Sequence, residues 1–281
     1  MKDTTLVSIA MYIYIASWVF YLGHAIFRKK IAGTIGDLLA LVGVLFQITG
    51  IAVRWVESHR LGIGHAPLSN LYESMVFFSL AVVVVYLLAS LKMQTRLLGT
   101  FVMPIVFLAT ASTSLMKRDI QPLVPALQSN WLTAHVITCF LGYAAFAVAF
   151  GVSILYLIRT RYDQRPVRQE KSYLGMLPAA SSLDEFTYRL IAFGFPLLTL
   201  GIITGAAWAN TAWGTYWSWD PKETWSLIVW LIYAAYLHAR IAQGWKGKRS
   251  ALLSIFGFAA TLFCYLGVNL ILSGLHSYAS G

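Results

Sequence analysis

Residues 208–240 read WANTAWGTYWSWDPKETWSLIVWLIYAAYLHAR. From Pro221 onward the stretch is apolar and closes on Arg240. It is about long enough to cross ~30 Å of hydrocarbon at ~1.5 Å per residue. Asp220-Pro221-Lys222-Glu223 opens it with a helix-start pattern: an acidic cap, proline at the first helical position, and glutamate three residues after the cap. Ahead of that start, Trp208, Trp213, Tyr216, Trp217 and Trp219 crowd around a turn at Gly214, with Trp225 just inside the helix. The stretch therefore predicts an aromatic loop at one membrane surface that feeds a spanning helix.

Working outward, further apolar runs lie near 6–27, 35–53, 71–91, 97–116, 131–158, 186–208 and 251–275. With 222–243 they predict an all-α fold: a polytopic transmembrane helix bundle of about eight spans, forming a single transmembrane domain over 1–281. Composition agrees. The chain is 58% hydrophobic and 11% charged, where a soluble domain carries roughly 25% charged residues. A soluble fold could not hide that much apolar surface. The first run is too long for the apolar core of a cleavable leader and is followed by Arg28-Lys29-Lys30, so it reads as a first span. Asn70-Leu71-Tyr72-Glu73 repeats the capped helix start ahead of the third run.

The net charge of +10 has two explanations. Binding to nucleic acid is one. The Lys/Arg excess of cytoplasmic loops is the other, and it is preferred, because the basic residues sit in short loops with no basic stripe among exposed aromatics. No nucleic-acid partner is expected, and membrane lipid is. Placing both termini on the outer side puts 15 of the 21 Lys/Arg inside and leaves Lys2, Arg54, Arg60, Lys117, Arg118 and Lys222 outside. The outer segments are then 54–70, 117–130 and the aromatic loop 209–221. The basic stretch 159–185 becomes a cytoplasmic loop. Cys139 and Cys264 lie inside apolar runs without a C-x-x-C pair and read as small core residues.

The aromatic loop can be read as an interfacial belt, since Trp and Tyr collect at headgroup level. A belt contributes one or two rings per helix end, and six rings closed by a helix cap exceed that. The reading preferred is a flat apolar shelf for a large planar ligand such as a porphyrin. Asp220 is read as the helix cap that also fixes the shelf.

Ionisable residues within spans are costly and are functional candidates. His135, near the outer end of the fifth run, and His276, at the outer end of the last, share the depth of the aromatic loop. They are a candidate pair of axial ligands for haem iron. Taken singly, each could instead hydrogen-bond at the membrane interface. His238 lies 15 residues after Glu223, roughly 22 Å further in. It suggests a second, inner site, or a helix-to-helix hydrogen bond. His24 lies at similar depth and reads as interfacial. His59 and His65 fall on the first outer loop.

These residues carry a resemblance. The run from Trp208 to His238 looks like the tryptophan-rich WWD segment of haem-handling proteins. The form with D-P-K-E-T-W and a following helical His resembles the CcsA/ResC family of cytochrome c biogenesis system II. GHAPLSNLYES at 64–74 and NLILSGLHSY at 269–278 agree. The likeness runs from the second span to the C-terminus.

The resemblance implies haem b as cofactor, bound by Trp208, Trp213, Gly214, Tyr216, Trp217, Trp219, Asp220, Pro221 and Glu223. It implies His135 and His276 as outer iron ligands and His238 as the transmembrane ligand of an inner haem. The second inner ligand would come from a CcsB/ResB-type membrane partner. The substrate implied is apocytochrome c with a C-x-x-C-H segment, and there is room for a thiol-reducing protein. The chain would then be the haem-binding subunit of a holocytochrome c synthase. It would lie in a bacterial inner membrane or thylakoid membrane, with the shelf on the periplasmic or lumenal side. Arg54, Arg60 and Lys222 are the outer cations considered for haem propionates. The competing classes are a haem exporter without synthase chemistry, a membrane electron-transfer cytochrome, and a solute transporter. The last is disfavoured because no broken-helix pair or midplane charge is evident.

Overall fold

The computed structural model describes residues 2–93, 95–123, 125–164 and 173–272. The described chain is all-α. Its helices are α1 (Asp3–Phe27), α2 (Lys30–Arg60), α3 (Leu71–Met93), α4 (Gly99–Ser112), α5 (Asn130–Asp163), α6 (Ala180–Trp213), α7 (Pro221–Ala242), α8 (Lys248–Leu262) and a short α9 (Val268–Ile271). Seven helical segments are long and apolar enough to span a membrane. The eighth apolar run is shorter, covering Gly99–Leu115. It tightens at its end into a 3₁₀ turn, Thr113–Leu115, where serine and threonine replace apolar residues. The chain is an integral membrane protein, because only closed backbone hydrogen bonding within such helices is tolerated in lipid.

Helix α5 is central. It packs on α3, α4, α6 and α8, and 67% of its most apolar window is buried. Its contact with α6 is the most extensive in the structure. Small residues permit this approach: a Cβ on Gly142 would lie 3.0 Å from the Gly194 carbonyl oxygen, and one on Gly194 would lie 3.1 Å from the Gly142 oxygen. Close backbone approach of this kind drives helix association where lipid removes the hydrophobic gain. Between α8 and α9 the backbone widens into a π turn, Phe263–Gly267, a form that recurs at functional sites.

Polar groups inside the bundle are bonded to one another across helices. Tyr14 on α1 donates to Gln47 on α2 (2.6 Å), and Gln47 donates to Ser79 Oγ (2.7 Å) and to the Val76 carbonyl (2.8 Å) on α3. At the end of the bundle opposite the aromatic loop, Arg240 on α7 pairs with Asp184 and Glu185 on α6. At the aromatic end, Arg54 on α2 is 4% exposed and is shared by Glu73 (2.7 Å) and Asp3 (2.9 Å). It also donates to the Arg118 carbonyl (2.8 Å) and lies over the Tyr72 ring. Glu73 in turn accepts from the amide and hydroxyl of Ser69 (both 2.8 Å), while the Glu73 amide donates to Asn70 Oδ1 (2.9 Å). The helix start at Asn70 is thereby tied to α1 and α2.

Removing one member of a buried pair strands the other charge, at a cost of about 3–5 kcal/mol. Arg54→Met is expected to lower stability by that amount in detergent unfolding. Arg54→Met with Glu73→Gln is expected to lose less, since the stranded Glu73 carboxylate is gone. Equal losses would show that the carboxylate is not the cause.

Candidate functional site

Helix α6 runs through Trp208 to Trp213, so both rings ride on a helix, and the irregular loop is only 214–220. The helix stops because Gly214 turns to φ +77°, its amide donating to the Asn210 carbonyl. Glycine enters that left-handed region without a Cβ penalty. Trp219 has φ +60°, which is uncommon for a bulky residue. The residues around it supply the restraint. Glu223 Oε2 accepts from the Ser218 amide (2.7 Å), the Ser218 hydroxyl (3.2 Å) and the Asp220 amide (3.2 Å). Asp220 Oδ1 accepts from the Lys222 amide (2.9 Å), and the Asp220 side chain also accepts from the Glu223 amide, which completes the capping box expected from sequence. One carboxylate therefore grips the backbone on both sides of Trp219. The strained residue presents its ring outward, 68% exposed.

The six rings do not lie in one plane. Trp208 and Trp213 meet at 61° with centroids 4.9 Å apart, and Trp217 and Trp219 meet at 88° and 5.7 Å. Edge-to-face contact is the favoured arrangement of neighbouring rings, so the expected flat shelf becomes a stepped one. Trp225 turns away from the shelf and packs on Phe263 of the π turn (4.3 Å). Tyr216 and Trp219 are exposed, Trp213 and Trp217 half-buried, and Trp208 buried.

His135 stacks on Trp208, centroids 6.1 Å apart and planes 22° apart. Its Nδ1 lies 2.7 Å from the Gly201 carbonyl oxygen on α6. A carbonyl can only accept, so Nδ1 carries the proton in that contact. Gly205 makes room for the ring, since a Cβ there would come within 2.6 Å of Nδ1. Cys139, one turn further along α5, places its sulfur 3.7 Å from the same nitrogen.

Two adjoining cavities of about 150 and 70 Å³ share a wall of His135, Cys139, Tyr143, Trp208 and Lys222. The larger reaches Asn70, Ser74, Tyr265 and Asn269; the smaller reaches Gly205, Tyr216, Trp217, Glu223 and Cys264. Both cysteines are free and buried, as expected, yet both border this space, which their apolar context did not reveal. Lys222 donates to Asn269 Oδ1 (2.7 Å), joining α7 to α9 across the larger cavity, and Tyr265 shares a hydrogen bond with Ser74 (2.8 Å).

The remaining histidines separate. His276 lies outside the described residues. His238 is exposed on α7, near the end opposite the aromatic loop. His24 is buried with Nδ1 on the Lys29 carbonyl (3.1 Å). His59 is exposed and bonds back to Trp55 (2.9 Å). Both ring nitrogens of His65 are engaged, with the carbonyls of Ala66 (2.9 Å) and Gln121 (3.3 Å), tying two loops of the aromatic end together. Among the described residues no group of three His, Cys, Asp or Glu could hold a bare metal ion.

The sequence pattern of the cytochrome c assembly protein family matches residues 68–276. Relatives named cytochrome c biogenesis protein CcsA are alike over nearly their whole length. The protein of Trieres chinensis is 38% identical, covering 94% of this chain and 92% of its own. That of Synechococcus sp. (strain JA-2-3B'a(2-13)) is 40% identical over 96% and 93%, and that of Guillardia theta 41% identical over 92% and 86%. The solved structure of the cytochrome c haem lyase CcmF is 20% identical and superposes with a TM-score of 0.72, covering 94% of this chain and 47% of that one, which shows a shared fold. Matched along most of its length by both the family pattern and these relatives, the chain belongs to the CcsA family of cytochrome c biogenesis proteins.

Proposed function

We propose that this chain is the haem-binding membrane subunit of a cytochrome c synthase, holding haem b at the aromatic end of the bundle for attachment to apocytochrome c. Family membership supports a role in cytochrome c maturation. The single observation that carries the haem reading is His135, stacked on Trp208 with Nδ1 held by the Gly201 carbonyl. A porphyrin brings four equatorial ligands of its own, so it needs imidazoles rather than a cluster of protein donors. The cavities are small against a porphyrin, so its ring would rest partly on the exposed faces of Tyr216 and Trp219. Bound there, haem would supply the vinyl groups that become thioethers on the C-x-x-C-H cysteines.

The chain's own residues position and exclude. Trp208 and the Gly201 carbonyl fix the His135 ring, so that Nε2 is presented in one tautomer. Glu223 and Asp220 hold the loop in its strained form before any ligand arrives. His276 is proposed as the second residue that would hold the haem iron. The described chain nears the site at Asn269, seven residues before it. His135 and His276 would together hold the haem iron and tune its potential.

His238, exposed on α7, is proposed as the inner-site ligand, completed by a CcsB/ResB-type partner. The aromatic end is proposed to face the periplasm or lumen, as the distribution of Lys and Arg supports. A thiol-reducing protein would fit as a further partner.

The chain purified with its membrane partner should carry a six-coordinate haem spectrum. His135→Ala and His276→Ala should each lose most haem and regain it with free imidazole. Unchanged haem content and spectrum in both variants would end the ligand assignment.

Gly205→Ala should act on the same ring from behind. Its Cβ would displace His135 from the Gly201 carbonyl. Haem content is expected to fall on the order of tenfold with the chain still in the membrane, since one misplaced ligand costs a site that much or more. Wild-type haem content in Gly205→Ala would show that the α6 seat does not position the imidazole.

A further inference from the structure

Among the described residues, the two fully buried arginines at the ends of the bundle are each paired with carboxylates. Arg54 is consumed by Asp3 and Glu73, and Arg240 by Asp184 and Glu185. Arg60 is exposed beside Glu57. Lys222 is half-buried on the wall common to both cavities; Asp220 attracts it through space, but among the described residues no carboxylate lies within ion-pair distance of it. Its one described side-chain partner is the neutral amide oxygen of Asn269, for three N–H donors. The acids nearest in sequence serve other groups: Asp220 takes the Lys222 backbone amide, and Glu223 takes the amides of Ser218 and Asp220.

The position is also unfavourable by itself. Lys222 lies in the first turn of α7, at the positive end of the helix dipole, where a cation costs about 0.3–1 kcal/mol. A charge kept in such a place, next to a cavity and low in water, calls for an anionic partner from outside the chain. A second donor in the same space lacks an acceptor. Among the described residues the buried Trp217 indole Nε1 has no hydrogen-bond partner, and Trp217 lines the smaller cavity with Lys222. A buried unpaired donor costs about 1–3 kcal/mol, which a ligand acceptor would recover.

We infer that Lys222, assisted by the Trp217 indole N–H, receives a carboxylate of the ligand. If the ligand is haem, as the proposed function holds, that group is a propionate. The contact fixes which edge of the ring enters the cavity. The vinyl edge is then turned away from Lys222. A lipid phosphate offers the same anionic oxygen and is the competing source.

The test uses the haem-depleted complex of the full chain with its membrane partner in neutral detergent. Iron(III) haem b and its dimethyl ester are titrated in parallel and followed by Soret absorbance. Wild type is expected to bind the acid about tenfold more tightly than the ester. Lys222→Gln should bring the acid down to the level of the ester, and Lys222→Arg should keep most of the preference. Equal wild-type affinities, a reading that needs no variant, would overturn the inference while leaving haem binding intact. So would an acid-to-ester ratio unchanged in Lys222→Gln. Loss of phosphatidylglycerol retention in Lys222→Gln, with equal acid and ester binding throughout, would assign the cation to lipid. Wild type that takes up neither porphyrin would remove the haem reading itself.

Discussion

The closeness of α5 and α6 governs the aromatic end. Glycines bring the two backbones near enough for a side chain of one to reach a carbonyl of the other. That is how His135, on α5, finds the Gly201 oxygen on α6. A backbone carbonyl inside a helix is normally satisfied by its own ladder, and its second lone pair is usable only by a donor that can come very close. The same closeness puts Trp208 against the imidazole. Where the ring sits, and which nitrogen carries the proton in that contact, therefore follow from the packing of α5 on α6.

The second theme is the handling of charge. At both ends of the bundle a buried arginine collects carboxylates from neighbouring helices, and each collection joins segments remote in sequence: α1, α2 and α3 through Arg54, and α6 with α7 through Arg240. Glu223 applies the same chemistry to a loop. Its carboxylate gathers two backbone amides and a hydroxyl around a tryptophan in an unfavourable conformation. These groups make the scaffold rigid. Lys222 differs because its charge is left for something else.

Much of this was legible in the sequence, and the parts that were not share a cause. The apolar runs marked every spanning helix, because hydropathy reports directly on what lipid will accept. Helix ends escaped it: α5 continues to Asp163 and α6 starts at Ala180, since polar residues extend a helix into the interface without leaving a hydrophobic trace. The capping box at Asp220 and Glu223 was readable because it is local, written within four residues. The seat of His135 was not, because Gly201 and Gly205 matter only once α5 and α6 are in register. Cys139 and Cys264 read as core and are buried, but their shared cavity is a tertiary fact. The flatness expected of the aromatic shelf failed because neighbouring rings, Trp208 with Trp213 and Trp217 with Trp219, pack edge to face. The isolation of Lys222 could not be read from a chain in which several acids lie nearby.

The π turn at Phe263–Gly267 carries a consequence for the evolution of the chain. Such a turn is what a regular helix becomes when it takes in one extra residue. The described residues after it, 268–272, are rotated by about 100° relative to an uninterrupted α8. Asn269 lies two residues past the turn and meets Lys222 only because of that rotation. A single-codon deletion between 263 and 267 would thus restore a smoother helix and swing its final turn away from α7. Insertions and deletions should be far rarer there than in the polar loops, although the segment faces no solvent and bears no charge.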